Sequence, residues 1–244
     1  MLVPAYFHPT VAPADWGALT ALAGHSVVLN IDSGPGPARS PEFETVATAL
    51  RAAGVRLLGY VDEAYGTRPA ETLLAQAARY REWYGTNGIF LDRAPADPGH
   101  LPAHHALATA LRTPDRPTAP AAAPDARSAP PPASAGAGGG VVANHGVYPA
   151  SGYAASADLL VVFEGPYAAH QGVRPPGWAR RLPAERFCHL VYGVPAAALP
   201  SVRSRAAACN AGVLYATDRA GANPYDGLPG YFAEEIDGHG RLTG

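Results

Sequence analysis

The chain contains no lysine: all 18 of its basic residues are arginine. That excludes a lysine Schiff base, a phosphate-loop lysine and a lysine general base. Cysteine is nearly absent as well. Cys188 and Cys209 cannot build a disulfide-rich scaffold or a Cys-based zinc site, and free buried thiols are expected for both. No apolar run approaches the ~18 residues of a membrane span. Charge is sparse, 16% of 244 residues with a net value of −2. Such a chain has no basic footprint for nucleic acid or an anionic membrane. The nine histidines form no HExxH pair, and the adjacent His104 and His105 diverge on a helix, so neither a metal nor any other cofactor is expected. There is no Gly-x-Ser-x-Gly elbow for serine hydrolysis. The first residues, Met1-Leu2-Val3-Pro4-Ala5-Tyr6, lack the basic and apolar regions of an export signal, so the sequence as given reads as cytoplasmic.

What the chain has instead is apolar residues (48%), with 27 Gly and 26 Pro. Residues 113–140 are Pro, Ala, Ser and Gly without apolar periodicity, and read as a flexible loop. On both sides, short, nearly continuous apolar runs alternate with helical patterns. The runs are Leu2–Phe7, Ser26–Ile31, Val55–Val61, Gly88–Leu91, Val141–Asn144, Leu159–Glu164, Phe187–Tyr192 and Gly212–Thr217. Continuous runs of this length suit strands buried on both faces. Helical patterns fall at Pro13–Leu22, Pro41–Ala53, Pro69–Tyr84, Pro102–Leu111, Ala197–Ala208 and Pro229–Ile236. The segment Gly146–Asp158 is short and only weakly helical. Eight strands alternating with helices predict an α/β fold, a closed (β/α)₈ TIM barrel. Four strands on either side of 113–140 would make two poor half-sheets. One barrel domain over 1–244 is therefore expected, with the loop inserted between helix 4 and strand 5, on the face away from the site.

In such a barrel the chemistry sits at the C-terminal ends of the strands. Those ends carry Tyr6 and His8, Asn30 and Asp32, Tyr60 and Asp62, Asp92, Asn144 and His145, Glu164, Tyr192, and Asp218. Asp92 closes Gly88-Ile-Phe-Leu-Asp92, and Glu164 closes Leu159-Leu-Val-Val-Phe-Glu164. A carboxylate ending an apolar run must be solvated or partnered. Two of them converging on one mouth, with aromatics around, describe a glycosidase site. An acid at a strand end can equally cap the next helix. Capping or loop bonding suits Asp62, and an Asx turn competes at Asp32 within Asn30-Ile-Asp-Ser-Gly-Pro-Gly36. His170 and His189 read as structural.

Several segments together resemble the spherulin-4-like family, which includes fungal glycoside hydrolases that cut galactosaminogalactan. They are Val3-Pro-Ala-Tyr-Phe-His-Pro9 followed by Trp16, Asn30-Ile-Asp-Ser-Gly-Pro-Gly36, Leu58-Gly-Tyr-Val61 with Tyr65-Gly66, and Trp83-Tyr84 leading into Gly88-Ile-Phe-Leu-Asp92. Val141-Val-Ala-Asn144-His-Gly146, Val161-Val-Phe-Glu164 and Tyr215-Ala-Thr-Asp218 complete the set. The resemblance implies a (β/α)₈ barrel whose groove binds an extended polysaccharide. It implies endo-acting hydrolysis of α-1,4-linked galactosamine and N-acetylgalactosamine polymers, and it places the functional Asp, Asn and Glu on Asp92, Asn144 and Glu164. Members are mostly exported. Arg93 stands where the family commonly has an acid, and His145-Gly146 where Pro-Gly is frequent.

The expected reaction passes through an oxocarbenium-like transition state. Glu164 follows five apolar residues, so burial should raise its pKa and suit it to acid work, leaving Asp92 as nucleophile or base. Asn144 would hold substrate or orient a carboxylate. Tyr6, His8, Asn30, Asp32, Tyr60, Tyr65, Tyr192 and Asp218 would bind sugar. A polysaccharide is the expected partner, and a monomer the expected state. A non-catalytic sugar-binding barrel, and a hydrolase of another amino-sugar polymer, remain the alternatives.

Overall fold

A computed structural model describes residues 1–112 and 140–239. The expected flexible loop at 113–140 lies outside the described residues, apart from Gly140. Eight strands form one sheet in the order β1 to β8: β1 Leu2–Ala5, β2 Ser26–Leu29, β3 Arg56–Asp62, β4 Gly88–Asp92, β5 Gly140–Asn144, β6 Leu159–Pro166, β7 Phe187–Tyr192 and β8 Val213–Ala216. Every neighbouring pair is parallel, including β4 with β5 across the segment that is not described. β8 returns beside β1, so the sheet is a nearly closed barrel.

The strands are buried on both faces because their residues are apolar on both faces. Close approach of β4 and β5 depends on glycine. Gly88 pairs with Gly140, and a Cβ on Gly88 would sit 2.3 Å from the Gly140 carbonyl oxygen. The helices begin and end as local chemistry dictates. α1 spans Pro13–Ala18 and α2 spans Pro41–Ala52, the latter capped by Ser40, whose hydroxyl accepts the Phe43 N–H. α3, Ala70–Tyr84, stops at the left-handed Gly85. It packs on β3 through Tyr80, which lies where a Gly59 side chain would be. α4 is Leu101–Arg112.

The helical shell thins on the far side, where the sequence showed only a weakly helical segment at Gly146–Asp158 and no helical pattern between Glu164 and Phe187. Between β5 and β6 there is one 3₁₀ turn, Ser151–Ala155. Between β6 and β7 the only α-helix is α5, Tyr167–His170. Pro149 and Gly152 interrupt the first connection, and Pro175, Pro176 and Pro183 the second. α6, Leu199–Ala208, and α7, Phe232–His239, complete the shell. Several strands stop before their apolar runs do, which leaves Tyr6, Asn30 and Asp32 on loops just beyond β1 and β2.

The β8–β1 seam has no strand ladder among the described residues; other groups close it. The buried Glu235 of α7 accepts the Ala216 N–H at 2.7 Å. Above it, the carbonyl of Tyr225 in the β8–α7 loop accepts the Tyr6 N–H at 3.1 Å.

Candidate active site

Three neighbouring strands carry the polar centre. Asp92 ends β4, Asn144 ends β5, and Glu164 lies near the end of β6. The Asn144 side-chain nitrogen donates to Asp92 Oδ1 at 2.7 Å and to Glu164 Oε2 at 2.5 Å. The two carboxyl oxygens are therefore at most about 5.2 Å apart, the two bonds laid end to end. Asn144 itself is 4% exposed, and its Oδ1 accepts the Gly146 N–H, which fixes the orientation of its amide.

The remaining oxygens are also held. Tyr60 donates to Asp92 Oδ2 at 2.6 Å, and Tyr225 donates to Glu164 Oε1 at 2.8 Å. Tyr6 sits between these two tyrosines, edge-on to each, at 5.5 and 5.4 Å. Burial, and then the Asp92 charge, hold the Glu164 carboxyl above the ordinary carboxylate range, although the bonds from Asn144 and Tyr225 pull it down. Burial and the neighbouring carboxylates push Tyr6 and Tyr225 well up, so both keep their phenolic protons. Tyr60 is pushed up in the same way, by burial first and Asp92 next.

These groups open into a pocket of about 360 Å³, lined by Asp92, Asn144 and Glu164 together with Tyr65, Arg93 and Tyr192. Gly221, Ala222 and Pro224 of the β8–α7 loop form another wall. On the rim, the Arg93 guanidinium binds both oxygens of Asp62 and lies 5.7 Å over the Tyr65 ring. Burial alone would raise Asp62, but the bonds from Arg93 and the Ala64 N–H overcome it and hold the carboxyl low. Ala64, Tyr65 and Arg93 all take left-handed backbone, with φ of 47°, 58° and 48°. Such strain costs ~1–3 kcal/mol per residue and gathers at functional rims. Here it presents Tyr65 to solvent, 59% exposed, beside the pocket.

Behind the loops lies a buried support. Glu63 accepts from His104 at 2.9 Å, and Tyr153 meets both His104 and His145 edge-on. His145 Nδ1 donates to the Pro95 carbonyl, and burial pushes this imidazole down to about 4. It is therefore neutral near pH 7. Among the described residues no cluster of three or more His, Cys, Asp or Glu is placed to hold a metal.

The sequence profile of spherulation-specific family 4 matches residues 1–238. The chain belongs to this family. Spherulin-4 of Physarum polycephalum is 36% identical over 105 residues, which is 41% of this chain and 31% of that relative. The match thus spans about a third of the curated protein. Sph3 of Aspergillus clavatus, solved in complex with GalNAc, superimposes with a TM-score of 0.75 at 25% identity, covering 97% of this chain and 95% of Sph3.

In this family-4 chain, seven of the eleven residues expected at the site gather there: Asp92, Asn144, Glu164, Tyr6, Tyr60, Tyr65 and Tyr192. Four are engaged elsewhere. His8 is exposed, bonds Thr10 at 2.8 Å and packs edge-on against Phe43. Asn30 accepts the Gly34 N–H with its side chain, and Asp32 is placed in the same turn by its backbone N–H, which bonds the Gly34 carbonyl, away from the residues that line the pocket. Asp218 accepts the Gly230 N–H at the start of the approach to α7. Asp62 acts as a loop acceptor, as its sequence context suggested. Sequence reasoning missed Tyr225. It lies in an irregular loop, Asn223-Pro-Tyr225, with no strand or helix period to mark it. Arg93 was visible only as a departure from the family pattern.

Proposed function

We propose that this protein is a glycosidase of the barrel class, working through Asp92 and Glu164. Its similarity to Sph3, whose structure holds GalNAc, and its family membership support a barrel that hydrolyses or binds sugars. The observation that carries catalysis is the single Asn144 nitrogen bonded to both carboxyls. It keeps one oxygen of each within about 5.2 Å of the other, which favours the ~5 Å spacing of retaining glycosidases over the ~6.5–9.5 Å of inverting ones.

Glu164, whose carboxyl burial raises above the ordinary range, gives its proton to the leaving glycosidic oxygen. Asp92, gripped by Tyr60 and Asn144, attacks the anomeric carbon and forms a glycosyl ester. Glu164, now ionised, takes a proton from water, which attacks the same carbon and releases Asp92. Two displacements return the starting configuration. Tyr65 and Tyr192 supply ring faces at the pocket for stacking on sugar. The substrate proposed is an internal bond of an α-1,4-linked galactosamine/N-acetylgalactosamine polysaccharide, cut by one barrel domain acting as a monomer.

The test is release of oligosaccharides from that polymer by the wild-type chain and by Glu164→Gln. Release by the wild type that is lost in the variant supports the proposal. A wild type that binds the polymer but releases nothing identifies a sugar-binding barrel instead.

A further inference from the structure

We propose that Tyr225 is a positioning residue for Glu164, fixing both the orientation and the charge state of that carboxyl from the loop after β8. This role deepens the assignment of Glu164 to proton transfer and rests on it for its catalytic meaning. With Asn144 on Oε2 and the Tyr225 hydroxyl on Oε1, each oxygen of Glu164 has a donor, one from each side of the barrel mouth.

The hydroxyl is delivered by a loop held by several hydrogen bonds and ring contacts. The Tyr225 ring is buried between Tyr6, edge-on at 5.4 Å, and Tyr215 at 6.2 Å. Its backbone is pinned on both sides of Tyr6: the Tyr225 carbonyl accepts the Tyr6 N–H, and the Asn223 amide donates to the Tyr6 carbonyl at 3.0 Å. Asn223 Oδ1 also accepts the Tyr225 N–H. Further along, Arg219 ties the loop to itself through the Leu228 carbonyl and Asp226, and Asp15 of α1 accepts the Leu228 N–H. The loop that stands in for the missing β8–β1 ladder thus also walls the pocket and presents a donor to the candidate acid.

The groups facing Glu164 are Asp92 from β4, Asn144 from β5, Cys188 from β7, Tyr6 from the β1 loop and Tyr225. Asp92 opposes ionisation of Glu164, while Asn144 and Tyr225 favour it. A donor aimed at a carboxylate stabilises the charged form. Without the Tyr225 hydroxyl, Oε1 would lose its donor, and Glu164 would keep its proton to a higher pH. Tyr225 therefore acts with Asn144 in setting where the acid releases its proton.

The experiment is a ¹³C titration of glutamate side chains in the full chain, with the Glu164 signal assigned by its loss in Glu164→Gln. In Tyr225→Phe the Glu164 midpoint should rise by about one pH unit, the size expected for losing one hydrogen bond to a charged group. Asn223→Ala, which loosens the loop and keeps the ring, should move it the same way by less. Tyr215→Phe, which alters the neighbouring ring without touching Glu164, should leave it in place. An unchanged midpoint in Tyr225→Phe, or in Asn223→Ala should the phenylalanine variant not fold, overturns the proposal. Polymer cleavage judges the catalytic assignment separately. In an active enzyme, the alkaline limb of kcat/KM should move up with the Glu164 midpoint in Tyr225→Phe. Cleavage retained by Glu164→Gln would sink the catalytic assignment while the titration still decides what Tyr225 does to the carboxyl.

Discussion

The carboxyls of Asp92 and Glu164 are joined through one nitrogen atom, the side-chain amide of Asn144, at 2.7 and 2.5 Å. Neither strand end could hold its acid at this separation alone, because two like charges so close repel. The amide supplies a donor to each, and burial raises the Glu164 carboxyl, which favours its uncharged form beside Asp92.

Asn144→Ala should therefore lower kcat by roughly 10²-fold, the usual cost of a small misplacement of reacting groups. The effect should fall on kcat more than on KM, since the ring faces at Tyr65 and Tyr192 are untouched. Steady-state kinetics on soluble oligosaccharide would separate the two parameters.

The opposite split is expected at the rim. Tyr65→Ala removes an exposed ring, and Arg93→Ala removes the group that holds both that ring and Asp62. The Arg93 side chain is itself half exposed, so its pair with Asp62 contributes ~1 kcal/mol or less to stability. Both variants should raise KM several-fold, leave kcat within about threefold, and unfold within a few degrees of the wild type. A loss confined to kcat would remove Tyr65 from substrate binding.

The seam at β8 and β1 gives stability a pH dependence. Burial, the largest influence, pushes Glu235 up to about 8, against the opposing effects of the Ala216 N–H and Arg203. The unfolded chain releases this proton near 4.5, while the folded chain keeps it. Its contribution is therefore complete below 4.5 and is lost as pH rises towards 8. Glu235→Gln keeps an uncharged oxygen for the Ala216 N–H. The wild-type Tm should fall by several degrees between pH 5 and 8 relative to that of the variant, as thermal unfolding across the range would record.

At the acid end the pair His170–His189 acts with the opposite sign. The rings bond each other at 2.9 Å, and burial pushes them down to about 4 and about 3. The unfolded chain takes up protons near 6.5, so stability present above that pH is lost as it falls through these folded-state values. His170→Gln should make the decline in Tm from pH 6.5 to 4 shallower. An identical slope would mean that the pair does not govern acid unfolding.

Much of this was legible in the sequence, for a physical reason. An apolar run with a single polar residue at its end marks both a barrel strand and the side chain it delivers, which is how Asp92 and Glu164 stood out, while Asn144 was one of several polar strand ends until the family resemblance marked it. The same pattern also marked Asn30, Asp32 and Asp218, whose local turns and loops use hydrogen-bonding groups the pattern cannot see. Tyr225 was invisible for the converse reason. It reaches Glu164 from an irregular loop fixed by long-range bonds to Tyr6, and no period in the chain records such a contact. The thin shell between β5 and β6 was legible in the short, weakly helical Gly146–Asp158.

The central claim is tested most directly by ¹H NMR of the products in the first minutes of polymer cleavage, for the wild type, Asp92→Asn and Glu164→Gln. The account predicts that new reducing ends from the wild type appear first as the α anomer and that both variants release none. New ends appearing first as the β anomer, or cleavage undiminished in either variant, would contradict it.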